Sequence, residues 1–181
     1  MATFIALLRG VNVGGNTIIP MAALRALCEE QGFTNVRTLL QSGNVVLNAA
    51  RATPATVTKK LEAALKQRFD KDVRVIVRTP DDLRAIVKRN PFPAAARDNP
   101  SHLLVTFLAA APDTAQTAAL AAHKHATEPH KVDGQALYIH YASGVGTSKF
   151  VGPVIEKTLA THATARNWNT ILKLIALAAE D

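Results

Sequence analysis

Residues 34–49, TNVRTLLQSGNVVLNA, decide the fold. Apolar runs flank Ser42-Gly43, a pair suited to a tight turn, so the stretch predicts two strands, 34–40 and 44–49. Upstream, TFIALLR (3–9) is apolar and β-prone, and a loop with three glycines follows it. A helix is then predicted from Pro20, whose fixed φ suits a first helical position. Met21, Leu24, Leu27 and Cys28 form its buried stripe, and Gly32 ends it. Downstream, Thr53-Pro54 opens a second helix as cap and first residue, with Val57, Leu61, Leu65 and Phe69 on one face. DVRVIVR (72–78) alternates as a strand. Thr79-Pro80-Asp81-Asp82 starts a further helix, with a cap and two acids in its first turn, and that helix stops at Asn90-Pro91.

After a loop at 90–100, the order recurs. HLLVTFLA (102–109) is a strand and Pro112 to about His125 an Ala-rich helix. A weak strand near 128–132, which Pro129 confines to a sheet edge, turns at Asp133-Gly134 into ALYIHY (136–141). A helix follows Ser148 with Pro153 in its first turn, then an extended piece at 161–166. The last helix, 167–179, has the stripe Trp168, Ile171, Leu172 and Ile175. Each half reads β-α-β-β-α-β-α, and the first six elements are the split β-α-β order of a ferredoxin-like sandwich. The expected class is α+β: two ferredoxin-like (βαββαβ) subdomains, each followed by an extra helix. The expected division is 1–90, a linker at 91–100, and 101–181.

The totals fit this reading. The 181 residues are 48% hydrophobic and 19% charged, which is globular rather than disordered. Aromatics are scarce at 5%, so Ala, Val, Leu and Ile must carry the core. The single cysteine excludes an intramolecular disulfide and a multi-cysteine metal cage. There is no basic leader segment, and no apolar run approaches the ~20 residues that span a bilayer. A cytoplasmic protein without a membrane partner is expected. The net charge of +7 is uneven: residues 51–97 hold 12 of the 21 Lys and Arg and 5 of the 14 Asp and Glu. That stretch fits a surface attracting a polyanion, and equally a solvated helix face.

The polar, glycine-rich segments fall between the apolar ones: LLRGVNVGGN (7–16), QSGN (41–44), SGVGTSKF (143–150) and TARNWNTILKL (164–174). In a split β-α-β sheet the first two strands run the same way, so the loop after strand one and the turn after strand two emerge together. Arg9, Asn12, Ser42 and Asn44 are therefore expected near one another. In the second half, the loop after strand three (Gly144 to Lys149) and the exit of strand four (Arg166 to Asn169) meet at the opposite end. If the two decorated ends face each other they form a composite cleft. Its chemistry would be recognition: Gly-rich turns expose backbone N–H groups, Arg9 and Arg166 can fork onto a phosphate or carboxylate, and Lys149 adds a point charge.

Competing motifs are weak. GVGTSK lacks the spacing of a phosphate-binding P-loop. His123-Lys124-His125 with His130 makes a poor metal site, because histidines at i and i+2 point to different sides of a helix. Cys28 sits on a buried stripe, where a thiol is inert by default. No nucleophile elbow or local Ser-His-Asp set is present. The third strand carries no aromatic, and strand one is apolar on both faces, which disfavours RNA stacking on an open sheet. Asn12 and Asn44 can also simply tie down their own turns, Asn167 can cap the last helix, and Trp168 can anchor the core.

Five ordered motifs, LLRGVNVGG, QSGNVVL, NPF (90–92), GVGTSKF and TARNWNTILKL, together resemble the bacterial family called domain of unknown function 1697. The resemblance implies an α+β protein with ferredoxin-like subdomains. It implies no substrate, cofactor, metal or catalytic residue. Matching its motifs nominates Arg9, Asn12, Ser42, Asn44, Ser148, Lys149, Arg166, Asn167, Asn169 and Lys173 as ligand-binding residues. The expected function is non-catalytic binding of a phosphate-bearing ligand or nucleic acid in a cleft between subdomains. Two alternatives stand: a small acylphosphatase-like hydrolase, in which Arg9 and Asn44 resemble that enzyme's Arg and Asn in placement, and a structural or protein-partner module.

Overall fold

In a computed structural model, residues 1–15 and 17–180 are described; Asn16, at the end of the first polar segment, lies outside them. The chain divides into two compact units, Met1–Ala85 with Lys173–Asp181, and Ile86–Leu172.

The first unit is built from β1 (Ala2–Leu8), α1 (Met21–Glu30), β2 (Thr34–Leu39), β3 (Asn44–Ala49), α2 (Pro54–Phe69) and β4 (Val75–Arg78), followed by α3 (Pro80–Lys88). Its sheet is antiparallel throughout, in the order β2-β3-β1-β4. That is the ferredoxin-like arrangement, and each helix start has a chemical cause. Thr53 and Thr56 close a capping box at α2, so two N-terminal donors of the helix are satisfied reciprocally. Thr79 and Asp82 exchange the same pair of bonds at α3, 2.8 and 3.2 Å long. Pro20 is the N-cap residue of α1 rather than its first helical residue, because its extended ψ of 136° precedes the helix. Beneath the helices, Leu24, Leu27, Cys28, Val57, Leu61 and Leu65 pack on Phe4, Ala6, Leu8, Val45 and Leu47. The alternate strand residues Ile5, Leu7, Val46 and Ile76 are buried too, so this sheet offers no open face for stacked bases.

The second unit repeats the order with β5 (Leu103–Leu108), α5 (Thr114–Ala121), β6 (His130–Asp133), β7 (Ala136–His140), α6 (Gly152–Leu159) and β8 (Ala163–Asn167). The sheet order is β6-β7-β5-β8, again antiparallel. β6, with Pro129 just before it, is an edge strand as expected. Leu120, Leu137, Ile139, Tyr141, Phe150, Ile155 and Leu159 make its helix-side core. The extra helix α7 (Trp168–Ala178) follows β8.

The stretch expected to be a linker contains a helix, α4 (Pro93–Asp98), and a 3-10 turn at Pro100–His102. Pro93 starts α4 where a missing N–H costs nothing, and an Ala-rich turn follows. α5 is shorter than its pattern, since the chain leaves the helix before His123. Among the described residues, no helix is long and apolar enough to cross a membrane.

Candidate functional site

The first polar group gathers at one end of the first sheet. β1 and β3 pair through Leu7 and Asn44, and β2 reaches the same point through Leu39 and Asn44. The loop after β1 and the turn after β2 are therefore neighbours, as the topology requires. Leu8 N–H donates to Gly43 O at 2.9 Å, and Arg9 N–H donates to Arg74 O at 2.9 Å. Asn12 then fastens the two loops together. Its Nδ2 donates to Ile19 O at 2.8 Å and to Gln41 O at 2.7 Å, while its Oδ1 accepts from Ile19 N–H at 2.8 Å. The Asn12 backbone, at φ 55°, also donates to Thr17 O. An asparagine tolerates that left-handed conformation, and its amide supplies both a donor pair and an acceptor to the clasp.

Asn44 is fully buried. Its Nδ2 donates to Leu39 O at 2.9 Å and to Ser42 Oγ at 3.1 Å, which fixes the turn from within. Ser42 is half-buried above it, and Arg9 is exposed. The group thus contains a solvent-facing cation on a backbone whose path is set by Asn12, Ser42 and Asn44. Gln41 and Arg74 belong to this construction through their carbonyls. Their side chains give no sequence signal for it; only the strand order could have found them.

The second group lies at one end of the second sheet. Leu103 pairs with His140 and Leu104 with Asn167, so β7 and β8 both leave the sheet at the Leu103 end of β5, which lies between them. Ser148 Oγ accepts from Phe150 N–H at 3.0 Å and shapes the loop before α6. Gly144, at φ 90°, precedes a 3-10 turn at Val145–Thr147. Asn167 Oδ1 accepts from Thr170 N–H and Oγ1, both at 3.0 Å, and so caps α7. Lys149, Asn169 and Lys173 are exposed. Arg166 is buried: its guanidinium donates to Thr164 Oγ1 and Ala165 O, both at 2.8 Å, and burial pushes its pKa down to about 10.

Lys149 has a neighbour that the sequence reading set aside as a metal ligand. Burial, with the charges of Lys124, His123 and Lys149, lowers the pKa of His125. The His123 and His125 rings are 5.4 Å apart, and His125 N–H donates to His123 Nδ1 at 3.1 Å. Among the described residues, no three His, Cys, Asp or Glu side chains gather in a way that could hold a metal ion.

Six of the twelve Lys and Arg in the basic stretch 51–97 stand in ion pairs. Lys66 pairs with Asp70 and Asp72, Arg68 with Glu30, Arg74 with Glu62, Arg84 with Asp81, Arg89 with Asp133 and Arg97 with Asp98. Lys60 stands 5.4 Å over the Phe33 ring. These exposed pairs are of the kind that contributes little to stability.

The family model for a protein of unknown function (DUF1697) matches residues 1–138, and the chain belongs to that family. The first three motifs lie inside the match and the last two beyond it. Among solved structures, the conserved bacterial protein SP0830 from Streptococcus pneumoniae is similar, with a TM-score of 0.72 at 21% identity, covering 99% of each chain. That likeness concerns the fold alone. No curated protein matches the chain.

Proposed function

We propose that this member of the DUF1697 family is a cytoplasmic, non-catalytic binding protein for a phosphate-bearing ligand, nucleic acid being the polymeric case. The observation that carries the reading is Arg9. It is exposed at the end of β1, beside Gly10 at φ 67°, on main chain pinned to Arg74 on one side and to the Asn12 clasp on the other. Main chain held this way needs little ordering when an anion arrives, so less of the interaction energy is lost to entropy. The glycines beside it let backbone approach the ligand closely. Lys149, exposed near His125, is a second cation of the same kind.

What favours binding over acylphosphatase-like hydrolysis is Asn44. That chemistry would need Arg9 and Asn44 to face one phosphate together, whereas the Asn44 amide is enclosed and donates to Leu39 O and Ser42 Oγ.

The test is titration with inorganic phosphate, a nucleoside triphosphate and single-stranded DNA over a range of salt concentrations. Affinity should fall as salt rises. Arg9→Ala should weaken binding about tenfold, as expected for loss of one charge-assisted bond, with the melting temperature unchanged. Salt-independent affinity, or no binding to any of the three, would refute the proposal.

A further inference from the structure

The Leu103 end of the second sheet holds a further polar cluster, built from Asn99, His102 and His140. Asn99 precedes the 3-10 turn Pro100–His102, and His102 N–H donates to Asn99 O at 3.1 Å. Positions three apart in such a turn eclipse one another, so the two side chains stand on one side of it. His140 ends β7, and its partner across the ladder is Leu103, the residue after His102. Tyr141 N–H donates to His102 O at 2.9 Å and holds the chain leaving β7 beside the turn. Four polar atoms meet as a result. Asn99 Nδ2 is 3.2 Å from His102 Nδ1 and 3.4 Å from His140 Nε2, and His102 Nδ1 is 3.1 Å from Ala142 O. Gly144, the first residue of the GVGTSKF motif, borders them: a Cβ there would stand 4.0 Å from His102 Cε1. The three side chains are half-buried, so the cluster is within reach of solvent.

His102 Nδ1 faces a donor and an acceptor at once. To accept from the Asn99 amide it must carry no proton, and to donate to Ala142 O it must carry one. Turning the Asn99 amide over, which exchanges its O and N without changing its shape, removes the conflict. Oδ1, both imidazole nitrogens and the Ala142 carbonyl then present lone pairs toward one another. Protons on the rings satisfy these atoms pairwise; one cation satisfies all four.

We propose that Asn99 Oδ1, His102 Nδ1, His140 Nε2 and Ala142 O form a site for one Zn²⁺ ion. Spacing favours it. Ligands at about 2.0–2.1 Å from Zn²⁺ stand about 3.3 Å apart in a tetrahedron, and the three observed separations run from 3.1 to 3.4 Å. The octahedral shell that Mg²⁺ demands brings neighbouring ligands to about 2.9 Å, closer than any of the three. Ligand chemistry agrees, because imidazole suits Zn²⁺, Cu²⁺ and Ni²⁺ rather than Mg²⁺ or Ca²⁺. Only two of the ligands are histidines; an amide and a main-chain carbonyl take the places that a third His, Cys or carboxylate fills elsewhere.

The test titrates the metal-stripped full chain, without an affinity tag, with Zn²⁺ by calorimetry. One Zn²⁺ should bind per chain, and a large excess of Mg²⁺ should not displace it. His102→Ala and His140→Ala should each weaken binding roughly 10- to 100-fold, since losing even an outer partner of a metal ligand costs that much. His123→Ala should leave affinity unchanged. Co²⁺ in the site should give the intense visible bands of a tetrahedral ion, lost in His140→Ala. Asn99→Asp keeps the shape and adds a negative charge, so it should tighten Zn²⁺ binding by about tenfold; this gain keeps the test decisive where an alanine variant fails to fold. No Zn²⁺ bound by the wild type, equal affinity in the wild type and His140→Ala, or no gain from Asn99→Asp overturns the site and leaves Asn99 as a hydrogen-bonded tie between two histidines. Displacement by Mg²⁺ overturns it equally. Each readout is independent of phosphate binding at Arg9.

Discussion

Gly43 lies hard against Leu8: a Cβ placed on Gly43 would stand 2.8 Å from Leu8 Cβ, while Gly43 O accepts the Leu8 N–H at 2.9 Å. The turn after β2 can sit on the end of β1 only because this residue has no side chain. Its φ of 77° adds a second requirement for glycine.

Gly43→Ala should therefore destabilise the protein by about 2–4 kcal/mol, combining the left-handed penalty with overpacking against a buried leucine. Urea unfolding with an unchanged slope would measure it. A loss below about 1 kcal/mol would show that Leu8 yields.

Asn12→Ala should cost about 1–3 kcal/mol, because the enclosed Ile19 N–H loses its acceptor and two carbonyls lose a donor. The specific signature is faster hydrogen exchange at the Ile19 amide. Loss of stability without that change would mean that the clasp survives by another route.

Cys28 should resist alkylation in the native state. Burial, with a contribution from the Glu29 charge, pushes its thiol pKa up to about 12, so almost no thiolate exists at neutral pH. Its labelling by iodoacetamide should follow the urea unfolding curve. Rapid labelling without denaturant would reveal local opening of α1.

Alkaline stability should depend on Tyr138. Its buried hydroxyl donates to Ile86 O at 2.7 Å, and burial, with Asp133 nearby, raises its pKa from 10.0 to about 12. Between those values the unfolded chain has released the proton and the native state still holds it, so stability falls as pH rises from 10 to 12. Arg166 works in the opposite sense from about pH 10 upward, since its native state sheds a proton that the unfolded chain keeps. Tyr138→Phe should thus be about 1–2 kcal/mol less stable at neutral pH, with a shallower decline above pH 10. An identical alkaline slope in the variant would contradict the assignment.

The fold was legible because its signals are local. Thr53-Pro54 and Thr79-Pro80-Asp81-Asp82 write their caps into consecutive residues, and Pro129 marks an edge strand by the donor it lacks. The helix α4 was hidden by the prolines at 91, 93 and 100, although Pro93 followed by three alanines is itself a helix start. The site was legible only as far as strand order carries. That order brings Asn12 near Ser42, but the bond from Asn12 to Gln41 spans 29 residues and engages a carbonyl that every residue possesses. Leu40 ends an apolar run and reads as core, and nothing in its neighbours announces a left-handed, exposed leucine. Arg166 alternates with Thr164 on one face of β8, and the composition of that strand gives no sign that the face is enclosed.

Glu180 stands 3.6 Å from Arg37 of β2, and Lys173–Asp181 belong to the first unit. A nascent chain with only its first ninety residues outside the ribosome therefore lacks the carboxylate partner of Arg37 until translation runs through Glu180.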